Sequence, residues 1–140
     1  MKFDAAVHKC AIIVDRDLGV GLSMNAVSVI GIGFGKTLEN LVGSDVASQD
    51  GVNYPGVISV PLPILRASGA ALLALLARTE HDDEIYCMPF SALAQSCKTY
   101  DDYRARIAAV ASEQIELVAL GLIGPKKKIN ALTGNLPLYR

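Results

Sequence analysis

The chain has 140 residues, of which 51% are hydrophobic and 19% are charged, and its formal net charge is −1. This high apolar content excludes a disordered chain, because folding can bury enough apolar surface to form a core. The small net charge excludes recruitment of nucleic acid by a global basic field. We expect a single α/β domain over residues 1–140.

The first predicted element is a strand at residues 10–14, a continuous apolar run with two isoleucines and a valine. Such a run is typical of a strand covered on both faces by helices. Three charged residues follow it directly: Asp15, Arg16 and Asp17. They are expected at the carboxyl end of the strand, the edge of an open α/β sheet where ligands usually bind.

A long helix is predicted next, starting near Met24 after a glycine turn at residues 19–21, with Ser23 as its N-cap. Its surface is apolar almost all round, so we expect it to be largely buried. Residues 18–35 carry no charge and approach the length of a membrane helix. Polar residues and glycines interrupt this span, which favours a core helix and no membrane association.

Two short motifs in this region resemble nucleotide-binding signatures. Residues 31–37 end like a phosphate-binding P-loop, but Ile30 stands where the motif needs its first glycine. Residues 19–24 lie between strand and helix like a dinucleotide fingerprint, but Met24 stands where a small residue permits close packing. We interpret these glycines as turn and packing residues, and we predict no cofactor.

The rest of the chain alternates between strand-like and helix-like segments. The predicted elements are an edge strand within residues 57–67, a helix at Gly69–Thr79 capped by Ser68, a strand at 84–88, a helix at 100–111 capped by Thr99, a buried strand at 115–123 and a basic helix at 126–132. This alternation predicts a three-layer α/β/α domain with a mixed sheet of four or five strands.

One ligand site is predicted at the end of the first strand. Asn25, polar among apolar neighbours near the helix start, is suited to hydrogen-bond a ligand or the backbone of the preceding loop. The basic run at residues 126–128 can contact phosphate or form a solvated face. The predicted ligand-binding residues are Asp15, Arg16, Asp17, Asn25 and Lys126. For Arg16 the alternative is a local ion pair with a neighbouring carboxylate.

The cysteines and histidines give no motif for catalysis or metal binding. Cys10, Cys87 and Cys97 show no paired spacing and are interpreted as reduced thiols of a cytoplasmic protein. Neither Cys87 nor Cys97 has a recognisable base partner in the sequence. The two histidines, His8 and His81, are far apart, so we predict no metal site.

Two separated stretches together carry a family resemblance. Residues 10–14, followed by Asp17-Leu18 and a long helix, resemble the opening of class II peptidyl-tRNA hydrolases. Residues 118–125, followed by Thr133-Gly134-Asn135-Leu136, resemble their closing strand and Gly-Pro turn. The likeness spans nearly the whole chain, and it implies the fold of those enzymes.

The sequence is more similar still to a family of small, mostly bacterial proteins with that fold and no assigned activity, the domain-of-unknown-function family numbered two thousand. In that family Arg-Asp-Asp-Leu ends the strand and Leu-Asn opens the helix. Asp17-Leu18 and Asn25 match this pattern, whereas Arg16 stands one position later than the family's arginine.

The catalytic residues of the hydrolases are not matched. Their helix opens with Gly-Lys, and Ser23-Met24 stand at these positions. A methionine cannot offer the cation that a lysine presents to a phosphate or a developing oxyanion. The resemblance therefore implies a non-hydrolase relative with no identified catalytic residue, and tRNA is not an expected partner.

From these residues we predict a protein that binds a small molecule or a protein partner at the end of the first strand. Two alternatives belong to other classes. One is a hydrolase of an RNA-linked or other ester with a rearranged site. The other is a structural homodimer, which is favoured if one apolar helix face stays exposed.

Overall fold

The sheet is organised around two buried neighbouring strands in the computed structural model, which describes residues 1–140. In chain order the elements are β1 (His8–Asp15), α1 (Val20–Thr37), β2 (Val46–Ala47), β3 (Asn53–Tyr54), β4 (Ile64–Ala67), α2 (Gly69–Thr79), β5 (Tyr86–Ser91), α3 (Ala92–Ser96), α4 (Tyr100–Ile107), a 3-10 turn (Ser112–Gln114), β6 (Leu117–Pro125) and α5 (Lys126–Thr133). The main sheet has four strands, and β2 and β3 form a separate ribbon. The predicted mixed α/β sheet of four strands is confirmed.

The strand order β4-β1-β6-β5 decides where each strand ends. β1 is parallel to β4 and antiparallel to β6, and β6 is antiparallel to β5. β1, β4 and β5 therefore run in the same direction and end at one edge of the sheet, which we call the carboxyl edge. The outer side of β4 is covered by the end of the chain, where the Tyr139 N–H donates to the Ile64 carbonyl at 2.8 Å.

Both faces of β1 are covered, as the apolar run at residues 10–14 predicted. Its side chains alternate between two hydrophobic clusters, and all five residues are completely buried. Cys10, Ile12 and Val14 pack with α1, whereas Ala11 and Ile13 pack with α2 and α5. Full burial of each Ile or Val side chain is worth about 1.5–3 kcal/mol, so this strand is a principal source of stability.

The start of α1 differs from the expected one. The helix begins at Val20, four residues before the predicted start, and Gly19 is its N-cap. Gly19 adopts the extended conformation of a cap (φ −61°, ψ 155°) without any side-chain hydrogen bond. Ser23 is not a cap but a buried residue of the second turn, and its Oγ donates to the Leu18 carbonyl at 3.4 Å.

The expectation that α1 is largely buried is wrong. Only one stripe faces the sheet: Ser23, Ala26, Ile30 and Phe34. On the opposite side Val20, Met24 and Ile32 are 65–74% exposed. No other element covers that side, because α2 and α5 pack on the other face of the sheet. No helix of the chain has both the length and the apolar character needed to cross a membrane.

Two predicted helix starts are confirmed, but α4 ends at Ile107, four residues before its predicted end, and β5 extends to Ser91, three residues past its predicted end. Ser68 and Thr99 are confirmed as caps, and each Oγ or Oγ1 accepts an N–H three residues further on, at 3.1 Å. The edge strand is confirmed only at Ile64–Ala67. Pro61 and Pro63 precede it, since a proline has no N–H to donate to a neighbouring strand.

α5 is tied to the loop between α2 and β5 by Lys128. Its Nζ lies 2.8 Å from an Asp82 carboxylate oxygen and 2.7 Å from one of Glu84. The hydrogen bond from Lys128 holds the pKa of the Asp82 carboxyl below its usual range, and the same contacts raise the pKa of Lys128. The carboxylates of Asp82 and Glu84 therefore neutralise part of the positive charge of the predicted basic helix.

We expect Lys128→Gln to raise the pKa of Asp82 towards the ordinary carboxyl value, as measured by an NMR titration of its side-chain carbon. A carboxyl whose pKa is lower in the folded state than in the unfolded state stabilises the protein at pH values above its unfolded pKa. This stabilisation is lost as the pH falls through the pKa of the folded state. The difference in unfolding free energy between wild type and variant should accordingly shrink in acid. Lys127→Gln is the control, and an unchanged Asp82 titration in Lys128→Gln would contradict the contact.

We expect Gly121→Ala to lower the free energy of unfolding by about 1–3 kcal/mol, the usual cost of overpacking a core. A Cβ on Gly121 would lie 2.6 Å from Ile30 Cγ2 and from Phe34 Cζ, so α1 would have to move away from β6. The matched control is Gly31→Ala on the exposed side of α1, where a Cβ meets nothing within 4 Å. Replacing a helical glycine there should stabilise the protein by roughly 0.5–1 kcal/mol. Urea unfolding measures both, and a loss of stability in both variants would contradict this packing.

Candidate functional site

The predicted site residues lie in separate places. Asp15 ends β1 at the carboxyl edge, Arg16 and Asp17 follow it, and Asn25 lies on the second turn of α1. Lys126 lies at the opposite edge, because β6 is antiparallel to β1 and His8 pairs with Pro125. The eight residues of β1 separate the two edges by about 25 Å. The structure does not bring Lys126 together with the other four residues.

The acidic residues after β1 form the turn that leads into α1. Asp15 Oδ1 accepts the Asp17 N–H at 2.9 Å, and the Asp15 carbonyl accepts the Leu18 N–H at 3.1 Å. This arrangement is an Asx turn, in which a carboxylate replaces a backbone acceptor. The local ion pair considered for Arg16 does not form, since no carboxylate lies within 4.0 Å of its guanidinium.

Asn25 lines a cleft of about 530 Å³ between α1, β5 and the α3–α4 segment, which we call the Asn25 cleft. The floor is formed by Val29 of α1 and by the β5 residues Met88, Pro89 and Phe90. The outer wall comes from the α3–α4 segment: Gln95, Cys97, Lys98, Thr99, Tyr100 and Tyr103. The cleft is mainly apolar, with polar groups confined to one side and to the rim.

Two amide side chains meet at the border of the Asn25 cleft, where Asn25 is exposed and Gln95 is half-buried. Gln95 Nε2 donates to Asn25 Oδ1 at 3.1 Å and to the Leu22 carbonyl of α1 at 2.8 Å. These bonds fix both side chains, and they use the donors of Gln95 and the acceptor of Asn25. Gln95 Oε1 and Asn25 Nδ2 have no protein partner, so an amide oxygen and an amide NH2 group are free for a ligand.

The aromatic and sulfur groups of the outer wall are ordered by α4. Tyr100 and Tyr103 meet edge to face with their ring centres 5.7 Å apart. Cys97 Sγ accepts a hydrogen bond from Arg106 Nη1 at 3.3 Å and donates to the Leu93 carbonyl at 3.2 Å. Neither histidine lines the cleft, so Cys97 has no base to take its proton.

The other two thiols are shielded from reaction by burial. Burial raises the pKa of Cys10 to about 11, and it also raises the pKa of Cys87. A thiol with a raised pKa holds little of the nucleophilic thiolate at neutral pH. All three cysteines are free, and no group of three or more His, Cys, Asp or Glu side chains converges as metal ligands.

The sequence analysis missed Gln95, Lys98 and the two tyrosines of the cleft. Gln95 is 70 positions from Asn25, and no local pattern connects them. The available signal was the strand end at Pro89-Phe90, followed at once by a short helix and a capped helix. This strand end indicates a site near Asn25 only if β5 is known to run in the same direction as β1, because the ends of both strands then lie at the same edge of the sheet.

A cavity of about 550 Å³ lies at the opposite edge, next to Lys126. Its walls are the segment 60–63 and residues of the chain start, with His8, Lys9 and Lys126 at its border. Lys9 Nζ is bonded to Asn130 Oδ1 at 2.6 Å, and His8 Nδ1 accepts the Asp4 N–H at 3.0 Å. Lys9 and His8 Nδ1 thus have protein partners, whereas no side-chain hydrogen bond or ion pair engages Lys126, which is the free cation of this cavity.

Comparisons with known proteins identify the fold and the family. The structure is similar to that of a protein of unknown function from Agrobacterium tumefaciens strain C58, with a TM-score of 0.82 and 17% sequence identity. The similarity covers 95% of this chain and 98% of that one. No curated protein matches the sequence. The family match spans residues 8–140, and the chain therefore belongs to the family described as "Protein of unknown function (DUF2000)".

Proposed function

We propose that the protein binds a small, partly apolar molecule in the Asn25 cleft and does not cleave peptidyl-tRNA. The observation that carries this proposal is the bonded pair of Asn25 and Gln95. It leaves the Asn25 NH2 group and the Gln95 amide oxygen unused at the border of a mainly apolar cleft. Ligand sites typically combine such apolar walls with a few convergent polar groups.

The size and place of the cleft support a metabolite-sized ligand. Its volume of about 530 Å³ lies within the range of small-molecule sites. The flat rings of Phe90, Tyr100 and Tyr103 suit a planar or cyclic apolar body, which the two amides would orient. The cleft lies at the carboxyl edge, where open α/β sheets commonly bind ligands. A protein partner inserting one side chain would use the same groups.

We further infer the three-layer fold of class II peptidyl-tRNA hydrolases and a cytoplasmic, bacterial setting. The packing of α1 on one face of a mixed sheet and of α2 and α5 on the other supports the fold assignment. The three free thiols support a reducing compartment. An ester hydrolase with a rearranged site is the competing function, and it is favoured by Lys98, a cation that lines the same cleft as Asn25.

We expect native mass spectrometry of the protein purified from its own host to show a retained small molecule. Gln95→Ala and Asn25→Ala should each reduce its occupancy severalfold, because each removes a polar group that orients the ligand. Asn135→Ala, which changes an exposed amide remote from the cleft, is the matched control. Equal occupancy in all variants would contradict the proposal. Peptidyl-tRNA cleavage that is abolished by Lys98→Ala would instead support the hydrolase.

A homodimer is a second candidate, and the exposed side of α1 favours it. Val20, Met24 and Ile32 lie along the exposed surface of one helix and are 65–74% exposed, and large exposed apolar surfaces mark interaction sites. Residues 18–35 carry no charge, so two copies can pack these sides together without burying an unpaired charge. This dimer would leave the Asn25–Gln95 contact intact.

We expect light scattering to give twice the 14.8 kDa mass of one chain. Ile32→Lys should return the mass to that of one chain, because it places a charge within the proposed contact. The control is Leu73→Lys on α2, which replaces a residue that is 52% exposed and lies outside the contact. A wild-type mass of one chain at all concentrations would exclude the dimer.

A further inference from the structure

A second cleft at the carboxyl edge contains two arginines. It has a volume of about 400 Å³ and lies between the turn after β1, the end of β4 and the C-terminal segment. Arg16 and Arg66 line it, together with a small apolar floor: Ala67, Ala71, Leu136 and Pro137. We call it the arginine cleft. It is at the β4 side of the sheet, whereas the Asn25 cleft is at the β5 side.

The fold holds both arginine backbones in place. β1 and β4 are parallel neighbours in which Val14 pairs with Arg66, so Arg16 follows directly beside the end of β4. The Arg16 N–H donates to the Ala67 carbonyl at 2.9 Å. The Arg66 N–H donates to the Pro137 carbonyl of the C-terminal segment at 3.1 Å. Sheet pairing and these backbone hydrogen bonds thus place the two arginine backbones beside the same cleft.

Neither arginine has a carboxylate partner. The ion pairs of the chain use Arg104, Arg106, Lys128 and His81, and no side-chain hydrogen bond involves Arg16 or Arg66. The nearest carboxylate in sequence is Asp15. One of its oxygens accepts the Asp17 N–H, and the other lies beside Gly69 at the start of α2. Both arginines are exposed, and since no ion pair or side-chain hydrogen bond engages either guanidinium, both remain available to an anion in the cleft.

We propose that the arginine cleft binds a phosphate group, either as free phosphate or as the ester of a small molecule. A guanidinium presents its N–H donors as a planar fork that matches two phosphate oxygens. Two such forks can engage different oxygen pairs of one tetrahedral anion, and their joint charge matches that of a phosphate near pH 7. The apolar floor strengthens the attraction by excluding water on one side. This site is independent of the function proposed for the Asn25 cleft.

The test is an NMR titration of the full chain with inorganic phosphate, at an ionic strength held constant with chloride. We expect saturable shifts of the amides of Arg16, Ala67 and Ser68. Arg16→Gln and Arg66→Gln should each weaken phosphate binding roughly tenfold or more, because each removes a charged hydrogen-bonding partner. Arg78→Gln on α2, an arginine that has no ion pair and does not line the cleft, should bind like the wild type.

Arg16→Lys keeps the charge but loses the fork, so its affinity should lie between those of the wild type and Arg16→Gln. Repeating the titration with a phosphate monoester distinguishes free phosphate from a phosphate ester as the ligand. Tighter binding of the monoester than of inorganic phosphate would identify the ester as the ligand. Shifts that rise linearly without saturating would overturn the proposal, as would equal affinity in the wild type and both glutamine variants. Gln95→Ala should leave the titration unchanged, so failure here is distinguishable from failure of the Asn25 proposal.

Discussion

The burial of β1 on both faces is the constraint on which the rest of the structure depends. Residues 10–14 are completely enclosed between α1 on one side and α2 with α5 on the other. No ligand can reach these side chains, so chemistry is restricted to the positions where the chain leaves the sheet. Since β1, β4 and β5 run in one direction, their three exits lie at the same edge. The Asn25 cleft and the arginine cleft both lie there.

Local physics made several elements predictable from the sequence. The apolar run of β1 has apolar side chains on both faces, so both faces must be buried against other elements. Ser68 and Thr99 carry the side-chain oxygens that cap helices. The start of α1 lacked that signal, because Gly19 caps the helix by its backbone conformation alone. The exposure of α1 was unpredictable for a different reason. Its sequence is apolar on every side, so only the arrangement of the neighbouring elements reveals which side is covered.

The candidate site was only partly predictable, because long-range topology decides which residues meet. Asn25 and Arg16 each line a cleft, but Lys126 was assigned to the wrong edge since nothing local shows that β6 runs against β1. No local sequence pattern predicts that Gln95 contacts Asn25. The family and the structural relative carry no assigned activity, and a fold at 17% identity does not imply a function. Function must therefore be argued from the free groups of each cleft.

The two proposed sites lie at opposite sides of the sheet and are lined by different groups. They lie on opposite sides of β1, and the outer strands β4 and β5 are three strand spacings apart, which is about 14 Å. The Asn25 cleft is lined by two neutral amides, by aromatic rings and by Lys98. The arginine cleft is lined by Arg16 and Arg66 above small apolar residues. Because the lining groups differ in charge and in apolar area, the two proposals call for different ligands and can be tested separately.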